Sequence, residues 1–222
     1  MRSIELKREM VAVCQALYQR QLLAAQDGNL SVRDGENLLT TPSGVNKGFI
    51  REEDILTVDR SGQVLAGAGQ PTTELLLHLE VYRLRPEAGA VIHAHPPIAT
   101  AFTIAGISLA ESILPEVVLS LGAIPTAPYA TTGTPEMAAA VRDLLPYYDA
   151  ILLEQHGALT VGKNLWEAYN RMEKVEHAAW TVWLARQLGQ ARSLPPEEVA
   201  KLRQLGITKG YRPPLAVTLQ GS

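Results

Sequence analysis

The sequence predicts an α/β fold in which one mixed, mostly antiparallel sheet is covered by helices on both faces. Three observations predict it. Short apolar runs recur in pairs around turn signals, as the strands of hairpins do, and amphipathic stretches of helical period are interspersed among them along the whole chain. The composition is that of an ordinary globular protein, 46% hydrophobic and 19% charged. A length of 222 residues suits one large domain, 1–222, and is short for two enzyme domains.

Residues 4–25 carry apolar side chains at helical period without Gly or Pro, which predicts an opening amphipathic helix ended by Asp27-Gly28. The runs 30–33 and 37–41 flank Asp34-Gly35, and 55–58 and 63–65 flank Asp59-Arg60-Ser61-Gly62, so two hairpins follow. Between them Thr41-Pro42-Ser43-Gly44 reads as a loop. Pro71-Thr72-Thr73-Glu74 opens a helix capped by a threonine, whose apolar series from Leu75 to Leu84 ends before Pro86. A strand then carries Val91, Ile92 and His93 up to Pro96-Pro97, and a helix fills 97–105. Residues 123–126 predict a strand, and Thr134-Pro135-Glu136 a helix to residue 145, with the proline where its missing N–H is tolerated. Residues 150–153 and 158–161 make a third hairpin around Glu154-Gln155-His156-Gly157. Asn164 caps a long helix to residue 188, with Trp166, Tyr169, Met172 and Val175 on its apolar, core-facing side. Pro195-Pro196-Glu197-Glu198 starts a last short helix, and 207–222 is expected to be an extended or mobile tail.

The net charge of −3 is small and the 20 Lys and Arg residues are scattered, so no nucleic-acid partner is expected. The N-terminal residues alternate charged with apolar side chains and lack the apolar core of a signal peptide. The longest apolar segment, 98–110, is broken by Thr103, Gly106 and Ser108 and is shorter than the roughly 18 residues of a membrane span. A cytoplasmic protein with no membrane partner is the expectation. The single cysteine, Cys14, cannot make an internal disulfide, and with Met10, Val13 and Leu17 on one helical stripe it reads as a buried thiol.

Chemistry concentrates at Val91-Ile92-His93-Ala94-His95-Pro96-Pro97. In a strand, side chains at i and i+2 leave one face with Cα atoms roughly 6.5–7 Å apart, so His93 and His95 can converge on one ion. The prolines stop the strand at the sheet rim, where a ligand can enter. His156 follows a strand and precedes Gly157, which predicts a sharp backbone turn beside the imidazole. Three imidazoles with one open position are a pattern of catalytic zinc sites. Glu74 has two readings, a first-turn carboxylate that complements the helix dipole or a carboxylate beside a metal that can accept a proton. Gly28-Asn29-Leu30-Ser31, Thr41-Pro42-Ser43-Gly44 and Thr72-Thr73 each combine hydroxyl or amide donors with approachable backbone N–H groups, which suits an anion, or serve as ordinary turns and caps. No Walker A or G-x-G-x-x-G pattern supports a nucleotide. His78 and His177 lie inside helices and read as ordinary histidines, although His78 shares a helical face with Glu74.

Taken in order, G-N-L-S at 28–31, T-P-S-G at 41–44, P-T-T-E at 71–74, R-P at 85–86, H-A-H-P at 93–96 and H-G-A at 156–158 resemble the class II aldolase/adducin family, over roughly residues 5–190. The resemblance implies a three-layer α/β/α domain, typically a homotetramer with active sites at subunit interfaces. It implies that His93, His95 and His156 bind a divalent metal, usually Zn2+, with Mn2+, Co2+ or Fe2+ as alternatives. It implies that Glu74 is the catalytic base or a fourth metal ligand, and that Gly28, Asn29, Ser43, Gly44, Thr72 and Thr73 hold the phosphate of a sugar phosphate. The implied reaction is reversible cleavage of a ketose 1-phosphate, of the fuculose 1-phosphate kind, to dihydroxyacetone phosphate and an aldehyde. A glutamate at position 74 resembles the aldolases of the family, whose epimerases tend to have aspartate.

One departure stands out. Aldolases of the family use a tyrosine from a neighbouring subunit, near the position of Ile113, to handle the proton on the aldehyde oxygen, and this chain has Glu111-Ser112-Ile113-Leu114-Pro115 there. Tyr129 and Tyr211 are the candidates to replace it, Tyr211 standing where the family often has a tail tyrosine; loop packing is the other reading of both. A pentulose-5-phosphate 4-epimerase or a methylthioribulose-1-phosphate dehydratase would use the same metal and phosphate sites. A non-catalytic adducin-like interaction module predicts loss of the histidines, and all three are present. An amidohydrolase barrel, suggested by H-x-H alone, needs roughly 250 residues.

Overall fold

Gly35, at a φ of 63°, closes the first hairpin, in which β1 (Asn29–Asp34) pairs antiparallel with β2 (Asn37–Thr40). The Asp59 carboxylate accepts the backbone N–H groups of Ser61 and Gln63 and so shapes the second hairpin, β3 (Leu56–Val58) with β4 (Val64–Ala66). The structure, a computed structural model, describes residues 2–212. β5 (Ala90–Ala94), β6 (Thr126–Ala127), β7 (Ala150–Leu153) and β8 (Gly157–Gly162) complete an eight-stranded sheet ordered β4-β3-β2-β1-β5-β8-β7-β6. Every neighbouring pair is antiparallel except β6 with β7.

Side-chain alternation supplies both faces of the sheet. Ala90, Ile92 and Ala94 join one apolar cluster and Val91 the other, and Ala150 and Leu152 separate from Ile151 and Leu153 in the same way. Over the first face lie α1 (Arg2–Gln19), α3 (Pro97–Ile104), α4 (Pro115–Ser120) and α6 (Leu165–Leu188), through Met10, Phe102, Val117 and Met172 among others. α2 (Leu75–Leu84) and α5 (Pro135–Ala140) cover the second through Leu77, Val81 and Met137. The expected α/β/α layering with a mixed, mostly antiparallel sheet is therefore the observed one. α7 (Pro196–Thr208) packs on α4, where a Cβ at Gly206 would lie 2.4 Å from the Leu119 carbonyl oxygen.

Several boundaries differ from expectation for local reasons. α1 ends at Gln19, and the apolar residues that continue its period, Leu22 and Leu23, are buried from an irregular connection in which Gln21 and Ala25 take positive φ. The threonine cap expected on α2 is absent: Glu74 holds the N-cap position, and Thr72 Oγ1 accepts the Glu74 N–H in the turn before it. Thr134 does hold the N-cap position of α5, but its hydroxyl donates to the Thr131 carbonyl and caps no helix N–H, and α5 gives way to turns after Ala140. The strand expected at 123–126 is the two-residue β6, shifted toward the C-terminus, and α4 was not expected although Pro115 and Glu116 are helix-start residues. Trp166 is 42% exposed, whereas Tyr169, Met172 and Val175 are buried. α7 spans 13 residues and absorbs 207–208; residues 213–222 of the expected tail lie outside the described residues. Cys14 is fully buried, and burial pushes its thiol up to about 12. Among the described residues no helix is long and apolar enough to cross a membrane.

Candidate active site

His93 lies on the α2 side of β5, opposite Asn29 of β1 and Leu159 of β8, and His95 sits one residue beyond the strand end. His156 enters from the β7–β8 turn. That turn is made at Gln155, which takes a left-handed φ of 53° and donates its N–H to Thr103 Oγ1 at 3.0 Å. Gly157 has a different task from the turn expected of it, which is to leave space. A Cβ there would lie 2.4 Å from the Ala94 carbonyl oxygen and 2.7 Å from His95 Cδ2.

The three imidazoles face one another with ring centroids 4.8, 4.6 and 4.9 Å apart, and their ligand-capable nitrogens lie within 4.8 Å of one another. His93 Nδ1 donates to the Ala158 carbonyl at 3.0 Å, so its Nε2 carries the free lone pair, the arrangement that orients a metal-binding histidine. His95 Nε2 is 2.9 Å from that atom. Glu74 reaches into the same space, Oε2 3.2 Å from His93 Nε2 and Oε1 3.4 Å from His156 Nε2. Glu74 Oε1 and His156 Nδ1 are buried without a hydrogen-bond partner. Converging Nε2 atoms beside an unpartnered carboxylate oxygen form a donor set that fits a divalent cation.

The electrostatics point the same way. Burial, then the neighbouring His95 and His156, holds His93 well below the usual imidazole pKa. Burial lowers His95 to about 4, reinforced by His156 and opposed by Asp27. His156 is lowered by burial against the pull of Glu74 and Asp27. Neutral rings are the form that ligates metal.

Beside the imidazoles two loops run together. The Thr72 N–H donates to the Thr41 carbonyl at 3.3 Å and the Ser43 N–H to the Gln70 carbonyl at 2.9 Å, with Pro42 and Pro71 bridged between them. Gly28, at a φ of 70°, lets the first motif pass against β5, since a Cβ would lie 2.9 Å from the His93 carbonyl oxygen. The resulting cleft, about 420 Å³, is lined by Gly28, Asn29, Ser43, Gly44, Thr72, Thr73, Glu74, His95 and His156, with His93 fully buried beside it.

The tyrosines are not brought there. Tyr129 is 62% exposed, its N–H donating to Glu154 Oε2, and Tyr211 lines a separate cleft with Arg85 and Gly162 at the other end of β5 and β8. His177 lies in a third groove beside Trp180. Ile113 packs against the larger apolar cluster.

Sequence reasoning missed Asp27, Lys47 and Thr132, which also line the cleft. Lys47 is 2% exposed, and its Nζ donates to the Gln26 carbonyl at 2.5 Å. Burial lowers its pKa, opposed by Cys14, Asp27 and Glu74. Its one signal, a lysine shortly after T-P-S-G, is too common to stand out.

The model of the Class II Aldolase and Adducin N-terminal domain matches residues 8–183. The chain is 37% identical over 172 residues, 78% of its length and 92% of the relative's, to an L-fuculose phosphate aldolase of Methanococcus vannielii. It is 34% identical over 206 residues, 89% of its length and 95% of the relative's, to a 3-oxo-tetronate 4-phosphate decarboxylase of Escherichia coli K12. A solved L-fuculose 1-phosphate aldolase superposes with a TM-score of 0.85 at 32% identity, covering 92% of this chain and 96% of that one. With the histidine triad set beside the paired loops and the match spanning most of its length, the chain belongs to the class II aldolase/adducin family and is an enzyme of the lyase kind found there.

Proposed function

We propose that the protein is a divalent-metal-dependent aldolase that cleaves a ketose 1-phosphate, of the fuculose 1-phosphate kind, reversibly to dihydroxyacetone phosphate and an aldehyde. The observation that carries the reading is the position of Glu74, between three neutral imidazoles and a cleft rich in hydroxyl and backbone N–H donors. A divalent ion held by His93, His95 and His156, Zn2+ being the ion that suits an all-imidazole set, would supply Lewis-acid stabilisation of negative charge developing on the substrate oxygens. Ser43, Gly44, Thr72 and Thr73 hold the phosphate through hydroxyl and backbone donors, and Lys47 adds a positive charge beneath them. When the C3–C4 bond breaks, its electron pair moves into the C2–C3 enediolate and the proton of the C4 hydroxyl leaves as the aldehyde forms. Glu74 delivers a proton to C3, and removes it in the synthetic direction, from Oε1, the oxygen without a hydrogen-bond partner. The protein in this reading is a cytoplasmic homotetramer of one-domain subunits, with Tyr129 or Tyr211 of a neighbouring subunit serving the aldehyde oxygen.

A second reading is favoured by Ile113. Aldol cleavage must remove a proton from the departing hydroxyl, and an isoleucine cannot; carbon dioxide departs from a 3-oxo acid without that step. Loss of carbon dioxide from 3-oxo-tetronate 4-phosphate leaves the same enediolate of dihydroxyacetone phosphate that a ketose 1-phosphate leaves on losing its aldehyde. Three assays on the Zn2+- or Mn2+-loaded protein separate the readings. Release of dihydroxyacetone phosphate from a panel of ketose 1-phosphates supports the aldolase. Release from 3-oxo-tetronate 4-phosphate alone replaces it with the decarboxylase, and epimerisation or dehydration of a pentulose phosphate with no triose phosphate formed sinks both.

A further inference from the structure

Behind Glu74 a run of hydrogen bonds crosses from the cleft into the sheet–helix interface. β1 contributes Asn29 and Ser31, which share a face at period 2; the run of α2, starting from its N-cap, contributes Glu74, His78 and Tyr82, which share a face at spacing 4. Asn29 Nδ2 lies 2.8 Å from Glu74 Oε2, and Asn29 Oδ1 lies 2.6 Å from His78 Nε2. His78 Nδ1 lies 2.6 Å from Ser31 Oγ, which is 3.0 Å from the Tyr82 hydroxyl.

The direction of every bond follows from the first. A carboxylate only accepts, so the Asn29 amide must present its NH2 to Glu74 and its oxygen to His78. That oxygen also only accepts, so His78 carries its proton on Nε2. The His78 ring is fully buried with no carboxylate bonded to it, and burial holds its pKa down to about 3. Its Nδ1 is therefore an acceptor, taking the Ser31 O–H, and Ser31 Oγ takes the Tyr82 O–H. All four donors point toward Glu74.

We propose that His78 is a positioning residue for Glu74, acting through Asn29: its Nε2–H locks the Asn29 amide with NH2 on Glu74 Oε2, which leaves Oε1 as the one oxygen free to exchange a proton with substrate. The proposal rests on the reading of Glu74 as the proton carrier. A flipped amide would set an oxygen against the carboxylate and turn Glu74 out of register with the imidazoles. It also changes the account of Asn29, whose side chain is engaged at both ends and has only one N–H left for a phosphate.

The first test is 15N NMR of the imidazoles of the full chain at pH 7, with and without Zn2+, the His78 signals assigned by their loss in His78→Gln. A neutral ring protonated at Nε2 is expected in both states; an Nδ1–H tautomer or a charged ring overturns the chain. The second is kinetic. In the Zn2+-loaded protein His78→Leu is expected to lower kcat at least about tenfold, with KM changed by less than about threefold and zinc stoichiometry unchanged. His78→Gln, which keeps an N–H for Asn29 Oδ1, is expected to restore most of the loss. Equal impairment of both variants, or zinc lost together with kcat, overturns the positioning role. Where His78→Leu does not fold, His78→Phe, which keeps a ring and has no N–H, takes its place against His78→Gln: kcat lowered at least about tenfold supports the positioning role, and wild-type kcat overturns it. An inactive wild type with the Nε2–H tautomer sinks the functional reading and leaves the hydrogen-bond chain standing; an active wild type with the Nδ1–H tautomer does the reverse.

Discussion

Glu74 has two inequivalent oxygens: Oε2 accepts the Asn29 amide, and Oε1 is buried without a partner. A carboxylate so placed is expected to matter through proton transfer more than through metal affinity. Glu74→Gln keeps the shape and removes the titrating group, so activity should fall about 10²–10⁴-fold while zinc stoichiometry by elemental analysis stays at the wild-type value. His93→Ala should do the opposite first, losing the metal, because two imidazoles remain of three and the Ala158 carbonyl loses its donor. Wild-type zinc content in His93→Ala would remove His93 from the ligand set. At this scale the histidines were legible, since H-x-H at a strand end and H-G after a strand put three rings within one space. Lys47 was not, because nothing in V-N-K-G says that the lysine is tucked under a cleft. Gly157 was read as a turn residue when the turn is made by Gln155, a role visible only once the His95 ring stands 2.7 Å from where a Cβ would be.

The imidazoles and Glu74 come from β5 and its end, the β7–β8 turn and the start of α2, with β1 beside them, and α2 is itself pinned by charge. Glu80 on α2 accepts from Arg83 of the same helix and from Arg142 in the turns after α5. The Arg83 hydrogen bond first, and Arg142 with it, hold the Glu80 carboxyl down to about 2, against the opposing effect of burial. Its folded pKa thus lies below its ordinary value of 4.5, so the stabilisation is complete above pH 4.5 and disappears as pH falls toward 2. Glu80→Gln should lower Tm at pH 7, and the gap to wild type should close between those two values; a gap independent of pH would show that the pair is not the cause. Because both arginines are more than half exposed, added salt should shrink the gap as well. The hairpins were legible from their Asp-Gly and Asp-x-x-Gly turns, which act within a few residues. α4, β6 and the early end of α1 were not, because each is decided by what it packs on: Leu22 and Leu23 continue a helical period yet serve a loop.

Across the whole molecule, Asp149 gathers distant segments at the end of the sheet away from the cleft. Its carboxylate, 4% exposed, meets Arg85 after α2 at 2.6 Å, Arg171 of α6 at 2.8 Å and Arg212 beyond α7 at 3.3 Å. Asp149→Asn strips the buried Arg85 of a partner, and denaturant unfolding should show a loss of about 3–5 kcal/mol with metal content preserved. A change under 1 kcal/mol would mean that Glu87 and solvent compensate. The layering and the antiparallel sheet were legible because hairpins and amphipathic helices each dictate a neighbour. The aldehyde side of the cleft was not: Ile113, near which the resemblance places a tyrosine, packs against the larger apolar cluster, and neither Tyr129 nor Tyr211 lines the cleft of the imidazoles within one subunit. Both reactions considered for the site pass through the enediolate of dihydroxyacetone phosphate, so the claim that Glu74 and the histidine triad make and protonate it can be tested without knowing the departing group. The measurement is proton NMR of dihydroxyacetone phosphate in D2O with the Zn2+-loaded protein. Enzyme-dependent exchange of one hydrogen at the hydroxymethyl carbon, abolished in Glu74→Gln, is the predicted result. No exchange by the loaded wild type, or undiminished exchange in the variant, would contradict it.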